Sequence, residues 1–212
     1  MSSKPVGLLG MMRGLLRSPV PPRFQRELAF GWLVLLLFLV QVFTGILLSL
    51  YYQASPGPAA DSVRFIVRDV EWGWLVRGLH HWSAYALIFL FLLRLTQIFL
   101  KGSYRGRRAT GWCMGLILLW LLGISTLSGG FLRWDDDAYW RVSSVVAQLE
   151  TLPWFGSSLA SILRGGSEVG GPTLSRLYSA HTMFVPWLIW LLLVLNLWFL
   201  ARRIGDRVGG GT

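Results

Sequence analysis

One stretch, residues 74–101, limits this chain to few folds. Its sequence, WLVRGLHHWSAYALIFLFLLRLTQIFLK, is a membrane-length apolar run with the adjacent histidines His80 and His81 near one end and Arg94 deep inside. Crossing a bilayer core as a helix takes about 20 apolar residues. In hydrocarbon the backbone must satisfy its own hydrogen bonds, which an isolated run of this kind does only as a helix. Residues 177–203, LYSAHTMFVPWLIWLLLVLNLWFLARR, repeat the plan, with His181 near the start and Asn196 further along. Arg94 follows His80 by fourteen residues and Asn196 follows His181 by fifteen. Both spacings are close to four helical turns, so each pair lies on roughly one face, about 21 Å apart along the axis.

Two further apolar runs complete the set, so that spans are predicted at about 28–52, 74–100, 110–131 and 177–201. The implied class is all-α, an integral membrane four-helix bundle. Residues 1–22 place Lys4, Arg13 and Arg17 among leucines and methionines before the prolines of VPP, a pattern that predicts an interfacial amphipathic helix on the cytoplasmic side. A cleaved signal peptide fits less well, because Arg13 interrupts its apolar core and no small-residue cleavage site follows. Residues 23–212 then form the transmembrane domain.

The net charge of +10 could point to nucleic acid, but the cations border apolar runs instead of interleaving with polar aromatic surface, so no nucleic-acid partner is expected. Their distribution sets an orientation, since Lys and Arg are retained on the cytoplasmic side. The amino-terminal arm, the connection between spans two and three and the tail together hold twelve cations against Glu27 and Asp206; the other two connections hold the remaining eight acids. Both termini are therefore expected to be cytoplasmic in a prokaryotic inner membrane, with His80 and His181 near the outer face. The single cysteine, Cys113, excludes an internal disulfide and a CxxCH haem attachment. The third connection, about 132–176, is too long for a turn and reads as two short surface helices near 138–148 and 157–163, parted by the breaker TLPWFG.

A histidine near a membrane interface is often an ordinary polar residue bonded to a neighbouring helix. Two at matching depth on helices of opposite direction raise the alternative that they clamp one metal. Zinc wants three or four ligands, and no further His, Cys or acid lies at that depth in the sequence. Haem iron needs only two axial imidazoles. Gly31 and Gly45 in the first span, and Gly115 and Gly129 in the third, repeat the fourteen-residue interval. A macrocycle edge can approach a backbone without Cβ, although small residues also pack membrane helices for their own sake.

The stretches VPP at 20–22, FLVQVFTG at 38–45, LYY at 50–52, WGWLVRGLHHWSA at 72–84, WDDDAYW at 134–140 and LRGGSEVGGPTLSRLYSAHTMFVPWL at 163–188 carry a family resemblance. Over nearly its whole length the chain resembles cytochrome b of quinol-oxidising bc complexes, most closely the short four-helix form of cytochrome b6f complexes. The resemblance implies that His80 and His181 ligate a haem b, that Gly45 and Gly129 lie against it, that Arg77 meets a haem propionate and that the short loop helices wall a quinol-oxidation site. It also implies quinone or quinol as substrate, a Rieske-like protein, a c-type cytochrome, lipids and other membrane subunits as partners, and a dimer.

The departures from that pattern carry equal information. The family holds a second haem on histidines whose positions are Arg94 and Asn196 here, so a second, inner haem is not expected. The cysteine that attaches an extra haem in photosynthetic complexes corresponds to Ala29, and the proline of the usual LPWD is Arg133. The motif that contributes a glutamate to quinol oxidation belongs to later helices, so a separate chain resembling them is an expected partner. The reading is a mono-haem electron-transfer subunit of a quinol:cytochrome c-type oxidoreductase. The alternatives are a mono-haem anchor linking the quinone pool to a periplasmic oxidoreductase and a cofactor-poor structural subunit. For Arg94 the expectation is a polar contact with Asn196, with bulky side chains filling the remaining space, against an anionic lipid, a quinone head group or a haem bound without histidine held there.

Overall fold

The computed structural model of the protein describes residues 22–102, 104 and 109–209. The expected interfacial helix at the amino terminus lies outside these residues. All described elements are helical. They are α1 (Pro22–Ser49), α2 (Ala59–Arg68), α3 (Gly73–Leu100), α4 (Ala109–Phe131), α5 (Asp136–Glu150), α6 (Gly156–Arg164), α7 (Gly171–Ser179), a π-helical segment (Ala180–Phe184) and α8 (Val185–Gly209).

Four of these stretches are long and apolar enough to cross a membrane: Glu27–Ser49, Gly73–Leu100, Ala109–Phe131 and Gly171–Phe199. The first helix ends at Ser49, short of the expected residue 52, and Leu50 and Tyr51 form a turn. The fourth span starts earlier than expected, because α7, the π segment and α8 form one continuous helix. Contacts run α1 to α3, α3 to α4, α4 to α8 and back to α1, so the spans close a ring with α3 and α8 on one diagonal and α1 and α4 on the other. Inward-facing Phe38, Leu87, Phe91, Leu118 and Ile189 are buried at its centre. Trp32, Phe43, Phe89, Trp120 and Trp187 are exposed on its outside, where a bilayer accepts them.

The π segment has a local cause. Pro186 has no N–H to offer Thr182, and its ring crowds the carbonyl four residues back. The helix widens there, and the Val185 N–H bonds to Ala180 O, five residues earlier. A π-turn holds one extra residue. The fifteen residues from His181 to Asn196 therefore cover the same helical travel as the fourteen from His80 to Arg94.

At one end of the bundle, α2, α5, α6 and α7, the first turns of the fourth span, enclose a second core built on Ala59, Val142, Val146, Ala160 and Leu174. The acidic run starts α5: the Asp135 carboxylate accepts from the Ala138 N–H at 2.9 Å, while Asp136 and Asp137 sit in the first turn, where the helix dipole favours them. Helix α6 stops at Gly165, whose φ of +75° is left-handed. An ion pair between Arg164 and Glu150 ties α6 back to α5. The helix α2 in the first connection had no counterpart in the sequence reading. It turns into α3 through Trp72, at φ +61°, and Gly73, where a Cβ would stand 1.9 Å from the Ile66 carbonyl oxygen. Only glycine fits that corner.

Candidate haem site between the diagonal helices

His80 on α3 and His181 in the π segment face each other across the diagonal, with ring centroids 6.1 Å apart and ring planes at 73°. His81 points elsewhere, edge-on to Trp82 and Tyr85 on the outside of α3.

Each imidazole is held by its Nδ1. Thr44 Oγ1 lies 2.9 Å from His80 Nδ1 and donates its own proton to Val40 O at 2.6 Å. Its oxygen is left as an acceptor, so His80 must carry its proton on Nδ1. For His181, Nδ1 lies 3.0 Å from Ser125 O, a carbonyl that can only accept, and 3.2 Å from Ser128 Oγ. The Ser128 hydroxyl donates to the same Ser125 carbonyl at 3.0 Å. Both rings are thereby fixed as the Nδ1–H tautomer, and both Nε2 lone pairs are free to bind a metal. Gln41 adds a brace, donating from Nε2 to His80 O at 2.6 Å and to Ser83 Oγ at 2.9 Å, which ties α1 to α3 beside the ring.

The glycines of the other diagonal have a neighbour the sequence did not indicate. They were expected to admit a macrocycle edge; the structure sets the imidazoles themselves against them. A Cβ on Gly45 would lie 3.2 Å from His80 Cε1, and one on Gly129 only 2.6 Å from His181 Cε1. Each histidine is therefore seated in a notch of the adjacent helix, with a hydroxyl one position before the glycine, Thr44 or Ser128, holding its Nδ1. That Thr-Gly and Ser-Gly pairing is legible in the sequence and was missed there, as were Ser125 and Gln41.

Arg77 lies one turn before His80 on α3. It lines a recess of about 280 Å³ together with Arg64, Arg68, Arg133 and Asp135. Arg133 is paired with Asp135 at 3.5 Å and Asp137 at 2.9 Å, which ties it into the acidic start of α5.

The donor set suits haem better than a bare ion. Among the described residues no group of three or more His, Cys, Asp or Glu side chains gathers as a metal cluster. The two imidazoles, their ring centroids 6.1 Å apart and each engaged through Nδ1, would supply two nitrogen ligands to one iron. A tetrapyrrole supplies the other four donors that such a pair leaves open.

The chain is similar to known proteins in sequence and in fold. A family model described as Cytochrome b/b6/petB matches residues 15–204. Cytochrome b6 of Mastigocladus laminosus is 35% identical over 184 residues, covering 87% of this chain and 86% of that protein. Cytochrome b6 of Acaryochloris marina (strain MBIC 11017) is 33% identical over the same length and shares. Among solved structures, a chain of "Hyperthermophilic respiratory Complex III" superposes with a TM-score of 0.70 at 28% identity, covering 82% of this chain. The chain spans about half the length of that one, 47%.

Proposed function

The chain belongs to the cytochrome b/b6 family, and on that premise we propose that it is the haem-b-bearing, electron-transferring membrane subunit of a bc-type assembly that oxidises quinol near the outer face. The observation that carries the proposal is the pair of facing imidazoles, 6.1 Å apart, whose Nδ1 atoms are both committed to protein acceptors. His80 and His181 would hold the iron through Nε2. Bound there, haem supplies a reversible one-electron change at iron.

The chain's own residues prepare that site. Thr44, Ser125 and Ser128 orient the imidazoles through Nδ1 and raise the basicity of Nε2. Gly45 and Gly129 let the rings sit close to the neighbouring backbones. Arg77, one turn before His80 on α3, would meet a propionate carboxylate. The buried aromatic and aliphatic side chains of the bundle centre exclude water from the site, which would tune the potential of a bound haem.

Quinol gives up two electrons and two protons to become quinone. A haem held by His80 and His181 would accept one of these electrons, and a high-potential acceptor of the Rieske-like kind on a partner would take the other. The helices α5 and α6 would form one wall of the quinol site, and a second membrane chain, resembling the remaining helices of longer cytochromes b, would bring the acidic group that receives one proton, the other leaving to the solvent at the outer face. A c-type cytochrome takes electrons onward, lipids surround the spans, and the assembly is a dimer. Both termini face the cytoplasm, a reading supported by the twelve cations of the amino-terminal arm, the connection between α3 and α4 and the tail.

Spectroscopy of the purified protein tests the site. His80→Ala and His181→Ala each abolish the low-spin bis-imidazole signal, whereas His81→Ala keeps it. Retention of that signal in His181→Ala would remove the basis of the proposal. Fusion reporters at the termini check the orientation.

A further inference from the structure

The bundle has two glycine levels, and they are built differently. At the level of Gly45 and Gly129 the notches receive imidazoles. Fourteen residues along, at Gly31 and Gly115, they receive leucines: a Cβ on Gly31 would stand 3.0 Å from Leu197 Cδ2, and one on Gly115 2.8 Å from Leu95 Cδ2. These leucines come from the histidine-bearing helices, each one residue past the position that corresponds to a ligand, Arg94 on α3 and Asn196 on α8. Neither of those residues is a haem ligand, because guanidinium stays protonated and an amide is a poor donor to iron.

Arg94 is also committed elsewhere. Its guanidinium lies 3.2 Å from Glu27 of α1 and 5.8 Å from the centre of the Phe30 ring, one turn along that helix. Phe30 in turn meets Phe91 edge-on at 5.9 Å. The expected contact with Asn196 is thus replaced by an ion pair across α1 and α3. An arginine inside a span needs such a partner, and Glu27 provides it from a helix already packed against α3.

We infer that this second level is a closed structural plug in which the Arg94–Glu27 pair and the leucines Leu95 and Leu197 take the space of a second macrocycle, so that electrons are not carried across the membrane within this chain. The inference rests on the proposed haem at His80 and His181. An electron that arrives there leaves toward the same half of the bilayer or to a partner chain, since no second redox centre continues the path.

The test is the haem-to-protein ratio of the purified full chain, measured by alkaline pyridine spectra against amino-acid analysis, with a potentiometric titration of the same sample. One haem b per chain and a single one-electron wave are expected. Two haems overturn the plug; none at all overturns the proposed function instead, so the two failures are distinct. The double variant Arg94→His with Asn196→His supplies the missing imidazoles while the leucines and Glu27 remain. Its ratio is expected to stay at one, with the wild-type wave unchanged. A rise toward two in that variant would show that the level has room for a macrocycle and would sink the inference. Should the double variant not accumulate, Arg94→Gln with Glu27→Gln removes both charges at near-constant volume. It is expected to keep one haem and one wave, and a change in either would count against a purely structural pair.

Discussion

Thr44 fixes the protonation of His80: its hydroxyl, 2.9 Å from Nδ1, donates to the Val40 carbonyl and can only accept from the ring. Thr44→Val keeps the shape of the side chain but leaves a part-buried N–H without an acceptor. Losing a partner of this kind typically costs about 10–100-fold in metal affinity. Haem retention during dilution or competition with an apo-haem scavenger should fall by that order in Thr44→Val, while Thr44→Ser should behave nearly as wild type.

The glycine notches predict a ranking. At Gly129 an added methyl would meet the His181 ring at 2.6 Å, a rigid group with its Nδ1 anchored, whereas at Gly45 the clearance to His80 is 3.2 Å. Overpacking of this sort costs roughly 1–3 kcal/mol. Gly129→Ala should therefore lower haem content and broaden the low-spin signal, and Gly45→Ala should do so less. At Gly31 and Gly115 the neighbour is the movable end of a leucine, so alanine there should lower the melting temperature modestly and leave the haem spectrum alone.

The corner between α2 and α3 predicts a folding defect with the cofactor site untouched. A Cβ at Gly73 would overlap the Ile66 carbonyl oxygen at 1.9 Å, backbone that cannot swing aside. Gly73→Ala should sharply reduce folded yield in detergent. Trp72→Gly relieves a left-handed conformation and should be tolerated or slightly stabilising at the backbone.

Tyr52 predicts an alkaline limit. Its hydroxyl donates to the Leu132 carbonyl at 2.7 Å and stacks on Tyr178 at 5.5 Å. Burial first, and Tyr178 second, hold it above the usual tyrosine range. A raised folded value means that its stabilisation is fully present below the unfolded value of about 10 and is lost as pH rises above it. Tyr52→Phe should cost about 0.5–1.5 kcal/mol near neutrality, and the gap to wild type in a chemical-denaturation series should narrow above about pH 10. A gap that widened there would refute this account.

The four spans, their class and the short loop helices were legible in the sequence because each depends on local properties: apolar length, acidic helix starts and breakers. His80 and His181 were legible for the same reason, since a histidine is costly at that depth and their spacing along each helix follows from helical pitch. Residues at the second level were visible as departures, but not their partners. Arg94 was expected to reach Asn196 and instead meets Glu27, because which side chain faces an arginine depends on how two helices distant in sequence are packed.

The diagonal arrangement is likewise a property of the assembled ring, which no periodicity within one helix encodes. It places glycines of α1 and α4 against side chains of α3 and α8, imidazoles at one level and leucine methyls at the other. The extra residue between His181 and Asn196 was countable in the sequence, yet its absorption by a π-turn before Pro186 required the backbone. The sequence by itself determined that two imidazoles lie at one depth in a membrane bundle. Only the tertiary structure decided that both are held through Nδ1 with Nε2 left free, because that choice is made by hydroxyls and a carbonyl contributed from neighbouring helices.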